Sequence, residues 1–159
     1  MSGDALDDRV RRKLVSSLYT QPSSLAIGAL CGISAAVTVA IMSGNRAIMI
    51  GTLLLTLVGV FRVAVAARFG PESDRRDARL LELLYETGAF SFAFLTGGVA
   101  ALTIWFDLDT PQQLLMVSYA IAYGAGTSTR NAGLPMIALG QMVLSLAPLI
   151  IVAAIRAEA

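Results

Sequence analysis

Uninterrupted apolar stretches of roughly 20 residues, the length a helix needs to cross a hydrocarbon core, recur along this chain, beginning with SSLAIGALCGISAAVTVAIM between Ser23 and Met42. Such stretches leave few folds open. In lipid every backbone N–H and C=O must be satisfied within a helix or a closed barrel, and blocks of this length lack the two-residue alternation of barrel strands. Composition points the same way: of 159 residues 56% are hydrophobic and 14% charged, against roughly 25% charged in an ordinary soluble domain. The expected fold is all-α, an integral membrane bundle of about five helices.

The spans are expected at about 23–42, 46–67, 77–106, 112–126 and 135–155, within a transmembrane domain covering 23–159. Ser43-Gly44-Asn45 supplies a tight turn between the first two, which form a hairpin. RFGPESDRRDAR, from Arg68 to Arg79, breaks the apolar pattern with Gly-Pro and dense charge before the third. Asp107-Leu108-Asp109-Thr110-Pro111 separates the third from a short fourth, and STRNAGLP, Ser128 to Pro135, turns the chain into the fifth. There Asn131 can cap backbone groups, Gly133 permits an unusual backbone angle and Pro135 suits a first helical turn.

Residues 1–22 form a separate cytoplasmic segment. Leu6, Val10, Leu14 and Leu18 recur at helical spacing with Asp and Arg on the other faces, the pattern of an amphipathic helix lying in the membrane interface. No short apolar run with a small-residue cleavage site marks a secretory signal. Basic loops stay cytoplasmic, and an inner N-terminus puts Arg9, Arg11, Arg12, Lys13, Arg68, Arg75, Arg76, Arg79 and Arg130 inside, with only Arg46 and Arg156 outside. The expected location is a bacterial inner membrane, multi-pass, with Ala159 outside.

The inventory excludes much chemistry. The chain has no histidine and one cysteine, Cys31, so no His-ligated metal or haem, no Ser-His-Asp triad, no intrachain disulfide and no Cys-x-x-Cys site is expected. No phosphate-binding glycine loop occurs, and a formal net charge of +1 with dispersed basic residues does not suit nucleic acid. Neither cofactor nor metal is expected, and no catalytic residue is assigned.

What remains is packing and a few intramembrane polar groups. Gly28-x-x-x-Gly32 and the ladder Ala89, Ala93, Gly97, Ala101 put small residues on one helix face, as close helix approach requires. The contacts are read as lying within one chain in preference to a homodimer. Arg62 lies six residues, roughly 9 Å of rise, before Arg68. It either pairs with Glu82 or Glu86, which reach a similar depth on an antiparallel neighbour, or snorkels to the inner headgroups. Gln141, six residues past Pro135, needs a partner inside the bilayer. Tyr119 and Tyr123, one turn apart, share a face.

The string YGAGTSTRNAGLPMIALGQ, Tyr123 to Gln141, resembles a segment of the multi-pass N-terminal membrane region of GGDEF-type bacterial diguanylate cyclases, many of which also carry an EAL-type phosphodiesterase domain. LVGVFRVAVAARF (Leu57 to Phe69) is similar to the arginine-bearing second helix of those proteins. LLELLYETGAFSFAFLTG (Leu80 to Gly97) resembles a helix entry of theirs through Glu82, Tyr85, Gly88 and Ala89. Leu134 stands where their pattern has a second basic residue. The resemblance implies a sixth helix and a catalytic domain making cyclic di-GMP beyond Ala159, neither of them in this chain.

The leading expectation is therefore a non-catalytic sensory or regulatory membrane module acting on cyclic di-GMP signalling. Its candidates for ligand binding or signal relay are Arg62, Glu82, Tyr85, Glu86, Tyr123, Arg130, Asn131 and Gln141. Its partners are the lipid bilayer, a small-molecule or lipid ligand and a second copy of itself. A small transporter or channel subunit, or a structural protein that binds another membrane protein, remain the alternatives.

Overall fold

A computed structural model describes residues 22–68, 78–131 and 134–158. The amphipathic segment at 1–21 and the charged run at 69–77 lie outside the described residues, as do the side chains of Arg79, Glu82 and Arg130. Five α-helices follow one another: α1 (Pro22–Ser43), α2 (Arg46–Arg68), α3 (Ala78–Trp105), α4 (Thr110–Arg130) and α5 (Pro135–Ala157). No strand occurs among the described residues.

The turns follow from local chemistry. Gly44 takes φ +59°, the left-handed value that ends α1 without a Cβ clash, and the Asn45 side chain accepts the N–H groups of Ala47 and Ile48 at 2.9 and 3.5 Å, capping α2. At the far end of α3 the paired bonds Leu108 N–H to Thr103 O and Asp107 N–H to Ile104 O close a Schellman turn, with Asp107 at φ 50° in the position usually given to glycine. Asn131 ends α4, its N–H bonded to the Thr127 carbonyl, and Pro135 opens α5.

α1, α2, α3 and α4 close a ring in which each packs on the next, and α5 lies in the groove between α3 and α4. The sparsest seam of the ring is the one between α1 and α4. Phe92, Ile48, Leu55, Met116, Val39 and Val99 fill the interior, all fully buried. Four helices, all but α4, are long and apolar enough to cross a membrane, and large apolar side chains such as Ile41, Leu53, Val60 and Ile150 stand exposed on the outside, where lipid would cover them. α4 has 21 residues, roughly 31 Å at helical rise, and contains the expected fourth span, 112–126. Its weaker apolar character comes from Gln112 and Gln113 in its first turn, from Tyr119, Tyr123 and Thr127, which face the interior of the bundle, and from its polar last turn.

Small residues decide where the helices touch. Ala89, Ala93 and Ala101 are buried in this single chain, and a Cβ at Gly97 would overlap the Ser145 carbonyl oxygen of α5. Gly32 serves a different contact, since its missing Cβ makes room for the Tyr119 ring of α4, whose hydroxyl donates to the Gly28 carbonyl at 2.7 Å. The Gly28/Gly32 face thus receives an aromatic side chain in place of a second backbone. Gly98, next to Gly97, has nothing within 4 Å of its Cβ direction. Gly97→Ala is expected to lower unfolding stability in micelles by about 1–3 kcal/mol, as overpacking does, whereas Gly98→Ala should stay within about 0.5 kcal/mol of the parent.

Candidate functional site

Arg62 sits two helical turns from the end of α2 with its side chain turned into the ring, 9% exposed. Gly88 of α3 makes this possible, because a Cβ there would stand 2.8 Å from Arg62 Cγ. The guanidinium lies 5.2 Å from the centroid of the Phe92 ring and donates from Nη1 to the Tyr123 hydroxyl at 3.0 Å. Snorkelling to the headgroups is therefore not what this arginine does.

Nor does Glu86 pair with it. Glu86 precedes Gly88 by two residues, which is about 200° of helical rotation, so it projects from the side of α3 opposite the groove that receives Arg62. Among the described residues no carboxylate lies within ion-pairing distance of Arg62, and the recorded ion pair, Arg156 with Asp107 at 4.0 Å, is at the other end of the bundle. The side chains of Glu82 and Arg130 lie outside the described part.

Tyr123 is the hub of what replaces the ion pair. Its hydroxyl oxygen accepts Arg62 Nη1 and also Gln141 Nε2, the latter at 3.3 Å. Gln141 Oε1 accepts Asn131 Nδ2 at 2.6 Å, and Asn131 Oδ1 accepts the Tyr85 hydroxyl at 3.1 Å. A continuous relay thus runs from Tyr85 on α3 through Asn131 at the end of α4 and Gln141 on α5 to Tyr123 on α4 and Arg62 on α2. Gln141 is fully buried and Asn131 is 2% exposed, depths at which an unpaired amide would cost several kcal/mol in lipid.

These side chains line a cavity of about 260 Å³, together with Ser24, Leu25, Gly28 and Ala29 of α1 and Tyr119, Ala122, Gly126 and Thr127 of α4. It occupies the α1–α4 seam at the end of the bundle where α1 begins. Ser24, Ala122 and Gly126 at its rim are exposed, so the cavity opens sideways between the two helices. Toward the other end it meets Phe92, whose ring centroid is 5.3 Å from that of Tyr123, and the apolar core beyond.

Five of the candidate residues, Arg62, Tyr85, Tyr123, Asn131 and Gln141, meet at this site, and Glu86 stands apart. Tyr119 lines it as well, 6.2 Å from Tyr123 between ring centroids. Its one sequence signal was the face it shares with Tyr123 one turn on; that Gly32 would receive its ring was not readable from spacing. Thr127, with its hydroxyl bonded to the Gly124 carbonyl at 3.1 Å, carried no such signal. No known protein family, curated protein or solved structure matches the chain.

Removing the hub should be felt in stability. Tyr123→Phe deletes the acceptor of two donors and Gln141→Leu deprives Asn131 of its acceptor, each expected to cost about 1–2 kcal/mol in a membrane bundle. The double variant should cost less than the two losses combined, because both remove the Gln141–Tyr123 bond. Reversible unfolding in mixed micelles measures all three, and strict additivity would show that the relay does not act as a unit.

Proposed function

We propose that this chain is a non-catalytic membrane regulatory module whose lateral cavity is the input site. One observation carries the reading: five polar residues from four helices, distant in sequence, converge on a single cavity inside a largely apolar bundle. Intramembrane polar groups are expensive, and where they gather they generally serve a function.

The output side rests on resemblance. Tyr123, Asn131 and Gln141 belong to the string that resembles the membrane region of diguanylate cyclases, Tyr85 belongs to the second such stretch and Arg62 to the third. Some of the residues that carry the resemblance thus line the cavity, which supports control of cyclic di-GMP as the role. The mechanism is a population shift: a ligand that binds better when α1 and α4 stand at one separation favours that packing and moves the helices flanking the seam. The packed apolar core past Phe92 supports a dead-ended site in preference to a transport path.

In the native protein in its source membrane, Arg62→Gln or Gln141→Leu is expected to change cellular cyclic di-GMP by roughly 5-fold or more, the low end of ordinary allosteric coupling, at unchanged membrane abundance. Unchanged cyclic di-GMP in both variants would overturn this reading.

A further inference from the structure

Among the described residues, the cavity carries an unbalanced charge. Arg62 is nine-tenths buried, yet among the described residues its guanidinium donates one hydrogen bond, to Tyr123, and faces no carboxylate. A guanidinium has five N–H donors in a planar fork. Stacking on Phe92 offsets its desolvation by about 2 kcal/mol at best, less than the cost of burying an ion. A guanidinium so placed is suited to an anion.

The other lining groups narrow which anion. The Tyr119 and Thr127 hydroxyls are committed to backbone carbonyls, the first on α1 and the second within α4, and Tyr123 meets Arg62 as an acceptor. Among the described lining residues Arg62 is thus the charged donor on offer. One cation with a two-pronged fork matches a carboxylate, which has one charge and two oxygens. Leu25, Gly28, Ala29 and Ala122 make the rest of the wall apolar. The rim at Ser24, Ala122 and Gly126 opens through the side of the bundle, at the level of α1's first turns and α4's last.

We propose that this cavity binds the carboxylate of a monocarboxylic amphiphile, of the fatty-acid class, which enters from the bilayer between α1 and α4, pairs with Arg62 and leaves its chain in lipid. This assigns a ligand class to the input site and so rests on the reading above. Binding wedges the sparsest seam of the ring, which is where a ligand most readily shifts the packing.

The test uses the full chain in nanodiscs of zwitterionic phosphatidylcholine, with radiolabelled dodecanoate as probe. Saturable binding at one site per chain is expected. Arg62→Gln should weaken it about 10- to 100-fold, the loss of a charge-assisted pair at about 1.5–3 kcal/mol, and Arg62→Lys should weaken it less. Gly126→Leu should abolish it, because the space at that rim position holds nothing within 4 Å and a leucine there fills the mouth without disturbing the relay. Gly98→Leu, equally open but away from the cavity, should bind as the parent does. Should Arg62→Gln fail to fold, Arg62→Lys and Gly126→Leu decide the matter.

Equal competition by methyl dodecanoate, or stronger competition by dodecyl phosphate, would overturn the carboxylate assignment, as would undiminished binding to Gly126→Leu. Butyrate competing as well as dodecanoate would keep the carboxylate site and overturn entry from lipid. Dodecanoate binding without any effect of Arg62→Gln on cyclic di-GMP would uphold the ligand and overturn the regulatory reading; the reverse pair of results would overturn the ligand alone.

Discussion

Everything in the bundle depends on one close crossing, where the backbone of α5 at Ser145 rests against α3 at Gly97. No side chain separates the two helices there, and the arrangement exists only because residue 97 has no Cβ. Pro148 lies three residues further along α5; lacking an N–H, it leaves the Leu144 carbonyl without its helical donor, so the segment facing Gly97 is also where α5 departs from regular bonding. Ser145 is fully buried and its hydroxyl oxygen lies against Gly124 of α4, one residue from the hub tyrosine. A single position thereby fixes three helices, and Gln141, one turn before it, is delivered to Tyr123.

The same device recurs with side chains in place of backbone. Gly32 takes the ring of Tyr119, Gly88 the stem of Arg62, Gly140 the ring of Phe90 and Gly59 the edge of Phe92. Lipid supplies no hydrophobic drive between apolar helices, so association relies on such fitted contacts and on interhelical hydrogen bonds. The polar relay and the glycine holes are two halves of one solution: the holes let Arg62 and Tyr119 lie flat against neighbouring helices, and the relay satisfies the amides that hold α4 and α5 together. The surface ion pair between Arg156 and Asp107, both exposed, adds little to this.

Much of this was legible in the residues. Apolar block length placed the helices, because a hydrocarbon core sets one scale for all of them, and turn chemistry at Gly44-Asn45 and Pro135 marked their ends. Arg62 and Gln141 stood out as costly groups in apolar surroundings. Their partners were harder to read. Charge complementarity pointed from Arg62 to Glu82 or Glu86, but helical phase puts Glu86 on the wrong side of α3, and depth alone does not register phase; the Glu82 side chain lies outside the described residues. The relay instead joins Arg62 to a neutral hydroxyl 61 positions away and neutral side chains up to 46 positions apart, for which a single sequence holds no distance information. The fourth helix runs past the expected span because its last turn, Thr127 to Arg130, is polar and carries no apolar signal.

The separation between Arg62 and Tyr123 has a consequence for biosynthesis. The partners lie 61 residues apart, so at roughly 5–20 residues per second the ribosome needs several seconds after making α2 before the acceptor of its arginine exists. During that interval the α1–α2 hairpin must hold an unpartnered cation in or near the bilayer. Its position two turns from the helix end lets the side chain reach the interface until α3 and α4 arrive. The order of synthesis thus requires Arg62 to occupy two environments in succession, first the membrane surface and then the closed ring, and it places the final assembly of the site after the emergence of α5.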